Sequence, residues 1–120
     1  MHGARQLRDT MKLPNGESAY VDLLKLLEYC LSPDHPRGRH KAFVFGSVLG
    51  VTSEDAEELR DALLDAAHSG TAQFLSEDIY GERYVVDFPL RGPKGSATVR
   101  SIWILRTGED FPRLVTCYVR

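Results

Sequence analysis

Seven consecutive residues carry the densest chemistry in this chain. His35-Pro36-Arg37-Gly38-Arg39-His40-Lys41 sets three full positive charges and two imidazoles in a protein of formal net charge −2. Guanidinium and ammonium groups hold phosphate oxygens, and an imidazole moves protons near neutral pH. Together they suit a phosphate-binding segment and, with a histidine placed correctly, phosphodiester cleavage through the RNA 2′-OH. Pro33 and Pro36 stiffen the approach, and Gly38 lets the backbone come close to whatever binds there. The spacing of Ala42, Phe45 and Leu49 predicts a helix over 40–49, which puts His40 and Lys41 in its first turn. Cations there oppose the helix dipole, and a bound anion would remove the conflict. The plainer reading of the same residues is a solvated basic loop.

A second group lies on a predicted strand over 96–106, which carries Arg100, Ser101 and Trp103. Alternation puts Ser101 and Trp103 on one face, with Thr98, Arg100, Ile102 and Ile104 on the other. If helices cover the Ile102/Ile104 face, Ser101 and Trp103 look outward. A hydroxyl there would hold a phosphate oxygen and an indole would stack on a splayed base. The plainer alternative is a packed tryptophan. Cys30 and Cys117 stand in apolar-patterned segments and are expected to be reduced, buried thiols. No CxxC or HExxH spacing occurs, so neither a metal nor another cofactor is expected.

The elements that must position these residues follow from periodicity. Asp22 is expected to cap a helix to about Leu31, and Gly50 to end the helix that starts at His40. Thr52-Ser53-Glu54-Asp55 predicts the start of a third helix reaching about His68. Beyond Gly70 the period becomes alternating. A polar connector over 76–81 is followed by strands at 83–90, 96–106 and 113–119, with a fourth from Thr71–Leu75 or from residues before Asp22. The expected fold is α+β, with N-terminal helices packed on one face of a C-terminal antiparallel sheet of three to four strands. Residues 1–10 read as an extension to a single domain over 11–120. No apolar run reaches about 18 residues and Met1–Thr10 has no apolar signal core, so a cytoplasmic protein without a membrane span is expected. The net charge argues against broad nucleic-acid binding but leaves room for a local basic site.

Two resemblances emerge from these residues. Arg39, His40 and Lys41 at a helix start, with Ser101-x-Trp103 on a strand, resemble the catalytic domain of colicin D. That domain belongs to the barnase–EndoU–colicin–RelE group of metal-independent ribonuclease toxins. Arginines here fill part of a pattern that has lysines there, and because arginine hardly gives up a proton, the acid/base assignment stays open. From about Met11 to Arg120 the chain also resembles a family of small bacterial proteins of unknown function, through the stretches Tyr29–Phe45 and Gly108–Val119. The first resemblance implies a metal-independent endoribonuclease of toxin type. Its catalytic residues would be His40, Lys41 and Ser101, and its substrate-binding residues His35, Arg37, Arg39, Arg100 and Trp103. It also implies RNA, with tRNA among the options, and a small neutralising protein as partners. The alternative is a non-catalytic binding module: the neutralising partner of a toxin, an inactive toxin-fold adaptor, or a nucleic-acid binder without chemistry.

Overall fold

The computed structural model describes residues 11–120, so the N-terminal extension lies outside the described residues. After a turn in which Asn15 adopts φ 53°, three helices precede four strands. Helix α1 opens as Leu23–Lys25 and widens into a π-helix, Leu26–Cys30. Asp22 caps it, its carboxylate accepting from the Leu24 N–H at 3.0 Å. Helix α2 runs as Arg39–Val44 and continues as a π-helix, Phe45–Leu49. Gly50 ends it at φ 75°, the left-handed conformation for which glycine has no steric penalty. A capping box between Thr52 and Asp55 starts the third segment, a 3₁₀ turn Ser53–Asp55 that leads into α3, Ala56–Ser69. Leu59, Leu63 and Ala67 of α3 face the core, while Glu57, Glu58, Asp61 and Asp65 face water.

The strands are β1 (Ala72–Asp78), β2 (Gly81–Gly92), β3 (Gly95–Arg106) and β4 (Pro112–Val119). They form an antiparallel meander in the order β1-β2-β3-β4. The fold is therefore α+β with the helices first, and the fourth strand is β1. Residues 76–78, expected in a connector, belong to this strand and turn into β2 through Ile79-Tyr80. Their polarity hid them. This end of β1 is exposed, so no apolar face is needed there.

Register decides which face of β3 is covered. Tyr84 pairs with Trp103 and Trp103 with Leu114; Val86 pairs with Ser101 and Ser101 with Cys117. These residues point into the core beside Leu26, Cys30, Phe45, Leu49 and Leu63. The helices thus cover the Ser101/Trp103 face, and the expectation that these two residues look outward is overturned. The physical reason lies in β2, whose apolar set Tyr84, Val86 and Phe88 shares a face with Trp103, Ser101 and Val99. The opposite face carries the charged rungs Arg83–Ile104–Arg113 and Asp87–Arg100–Tyr118. No helix among the described residues is long and apolar enough to cross a membrane.

Candidate functional site

The basic segment is shaped by contacts to its own backbone. The Nδ1 of His35 accepts from the N–H groups of Arg37 (3.0 Å) and Gly38 (3.1 Å), and the ring stacks 4.7 Å from that of Tyr29. His35 therefore braces the loop, with its Nδ1 already engaged. Gly38 lies against the Tyr29 carbonyl so closely that a Cβ would overlap it. The glycine thus serves an internal close approach, and the neighbour it meets is α1. The Arg39 N–H then donates to the His35 carbonyl at 2.9 Å and starts α2.

Lys41 is the cation that this framework places most definitely. Half-buried, it sits with Nζ 5.3 Å from the ring centre of Tyr29 and 5.5 Å from that of Tyr118, and donates to the Thr116 hydroxyl at 3.4 Å. No carboxylate among the described residues pairs with it. Two ring faces attract a cation without neutralising it, so the charge stays available to an incoming anion. Beneath it lie Cys30 and Cys117, both free and fully buried. A hydrogen bond from Cys117 lowers the Cys30 thiol to about 6, and the Lys41 charge acts in the same direction. The same bond, with burial, pushes the Cys117 thiol up.

The other expected site residues separate into two groups. His40 is exposed and lines two cavities. One, of about 230 Å³, also has Lys41 and Tyr118 in its wall. The other, of about 480 Å³, is mostly apolar and is shared with Arg39 and the exposed Phe43. Arg37 is exposed on the loop. Ser101 and Trp103 are elsewhere, both fully buried. The Trp103 indole donates to the Ser101 hydroxyl at 2.8 Å, and that hydroxyl donates to the Val86 carbonyl at 2.6 Å. With both positions committed inside the core, they have no route to a phosphate or a base. That corrects the roles expected for Ser101 and Trp103. Arg100 is on the open sheet face, bound through two hydrogen bonds of 2.9 Å to Asp87. This pairing raises Arg100 and, with Arg120 also on Asp87, lowers Asp87 from its ordinary value. Arg100 is joined to the basic segment through Tyr118, with which it interacts.

Sequence reasoning missed Tyr29, Thr116 and Tyr118, which hold Lys41. Alternation along β4 was the available signal, since it sets Thr116 and Tyr118 on one face. The cluster is therefore Tyr29, His35, His40, Lys41 and Tyr118, a cationic and aromatic patch beside β4. It can bind a phosphate next to a stacked ring, and it offers His40 as a proton carrier. No curated protein matches the chain. A family model described as a domain of unknown function, DUF6883, matches residues 12–120, and the chain belongs to that family.

Proposed function

We propose that this protein binds RNA through its basic segment, with Lys41 as the phosphate anchor and Arg37, Arg39 and His40 flanking it. The observation that carries this reading is the Lys41 ammonium, half-buried between Tyr29 and Tyr118 with no carboxylate partner among the described residues. Ring faces, a hydroxyl and a cleft surround it. The reading keeps the non-catalytic alternative drawn from the sequence and sets it in the cytoplasm, where RNA and reduced thiols coexist.

Affinity for a fluorescent, unstructured RNA, followed by anisotropy at several salt concentrations, tests it. Three phosphate contacts give a log–log salt slope of about −2 for single strands. Lys41→Ala should weaken binding and reduce the magnitude of that slope by about 0.7. No binding at low salt, or binding that Lys41→Ala and Arg39→Ala leave intact, overturns the proposal.

A second reading rests on His40 and Lys41 lining one cavity. There His40 would transfer the proton and Lys41 would neutralise the phosphorane, without Ser101, as in a ribonuclease toxin that needs a neutralising partner. Products ending in 2′,3′-cyclic phosphate, formed in EDTA and reduced about 10²- to 10⁴-fold by His40→Gln with binding kept, would establish it. RNA bound but left intact by the wild type would leave the protein a binder.

A further inference from the structure

A second cationic cleft lies on the open face of the sheet, outside the basic segment. Its volume is about 370 Å³, and Lys25, Arg83, Arg106, Arg113, Tyr20 and Tyr80 line it. Asp22, its one acidic wall residue among those described, already accepts from the Leu24 N–H as a helix cap. The carboxylates that hold two of the arginines stand outside the wall: Asp78 on Arg83 at 2.9 Å and Glu109 on Arg113 through two bonds of 2.9 Å. Arg113 is also flanked by the rings of Tyr20 and Phe111, at 5.4 and 4.8 Å. Such bracing fixes a guanidinium before a ligand arrives, so little side-chain freedom remains to be lost on binding. Ion pairing accounts for Arg83 and Arg113. It does not account for Arg106, which makes no ion pair among the described residues although the charge of Glu109 is felt there, or for Tyr80, left 66% exposed at the β1–β2 turn.

The cleft is continuous with the basic segment. Lys25 and Asp22 line both this cleft and the next one, whose other walls are Leu24, Glu28, Tyr29 and His35. Tyr29 in turn shares Lys41 with Tyr118. Cations and rings thus follow one another beside β4, with Lys41, Lys25 and Arg113 interleaved by Tyr118, Tyr29 and Tyr20. We propose that the RNA site extends along this path, so that one single-stranded segment runs from the basic segment into the open-face cleft. There its phosphates meet Arg106 and Arg113, and a base stacks on Tyr80. The proposal rests on the RNA reading above. Single strands are specified because a duplex hides the base faces that the rings would take, and a polymer because two cationic clefts are joined by a stretch in which Lys25 and Tyr29 stand beside Asp22 and Glu28.

The experiment compares two labelled oligouridylates, one of about 4 and one of about 16 nucleotides, by anisotropy on the full chain. Wild type should bind the longer at least about tenfold more tightly. Arg106→Ala should reduce that advantage and the salt slope for the long RNA by about 0.7, while binding of the short RNA stays as in wild type. Tyr80→Ala should weaken the long RNA about tenfold. Both changed residues lie on the surface, and circular dichroism melting verifies that the variants are folded. Equal affinity for both lengths overturns the extension alone, provided Lys41→Ala still weakens binding. A preference for long RNA that Arg106→Ala and Tyr80→Ala both leave intact also overturns it, because the strand then leaves by another path. Failure to bind either RNA overturns the extension and the RNA reading together.

Discussion

Ser101 shows how a residue of reactive type can be wholly structural. Its hydroxyl accepts from the Trp103 indole and donates to the Val86 carbonyl, so one oxygen satisfies two groups that burial would otherwise strand. Ser101→Ala removes that oxygen and leaves the indole N–H unpaired in the core. We expect a loss of about 1–3 kcal/mol in unfolding free energy, read from the urea midpoint, with RNA affinity of the folded variant unchanged. A fall in affinity without a fall in stability would return Ser101 to the site. The sequence contained half of this result. Alternation correctly joined Ser101 to Trp103 on one face of a strand, but a strand read alone does not say which face meets the helices. Pairing with Tyr84 and Val86 does, and register is a long-range property. The basic segment was legible for the opposite reason. His35 and Gly38 act on neighbours close in sequence or on α1, whereas Lys41 also reaches Thr116 and Tyr118 of β4. Tyr118, 77 residues beyond Lys41 by number, had no local signal that would join it to the lysine.

Among the elements, those whose ends are defined locally could be read from sequence. Asp22, Thr52 and Gly50 terminate helices where their side-chain or backbone chemistry requires. The widening of α1 and α2 into π-helices has no such marker, and the last residues of β1, 76–78, were concealed by their polarity. The strands also bear a tie that alternation does not reveal. Asp87 of β2 binds Arg100 of β3 at 2.9 Å and Arg120, just past β4, at 3.1 Å, so one carboxylate spans the last three strands. Arg100, hydrogen-bonded to it, is the main cause of the lowering of Asp87 below its ordinary value of 3.8. A carboxyl depressed in the folded state contributes stability that is present above its unfolded value and lost as pH falls through its folded one. Wild-type stability should therefore drop as the pH goes below about 4. Asp87→Asn should be less stable than wild type at neutral pH and should lose less on acidification. Urea midpoints across that range check this, and parallel acid limbs in the two proteins would dismiss the tie as an acid-sensitive element.

At the scale of the molecule, charge is sorted although the total is close to neutral. The outer surface of α3 presents Glu57, Glu58, Asp61 and Asp65, whereas the clefts beside β4 are lined by lysine and arginine. Such a distribution would turn a polyanion away from one side and admit it at the other, which is how the proposed RNA site is compatible with a net charge of −2. The two borders of the sheet also differ. The start of β4 is occupied on its outer side, where Tyr20 exchanges backbone hydrogen bonds with Pro112 and Leu114, and Lys25 reaches the Val115 carbonyl. Beyond the Lys12–Thr71 bridge, β1 has no described neighbour on its outer side. There Phe74 pairs with Tyr84 and Ser76 with Arg83, leaving Leu75 as an extra residue in the ladder. A second copy aligning against β1 would be in step on one side of Leu75 and out of step on the other. Deleting Leu75 would restore an even ladder, and that variant should self-associate with rising concentration in sedimentation velocity while wild type keeps a constant coefficient. The role expected of this one surplus residue is that of a chain terminator, which would keep the sheet from serving as a template for fibre growth.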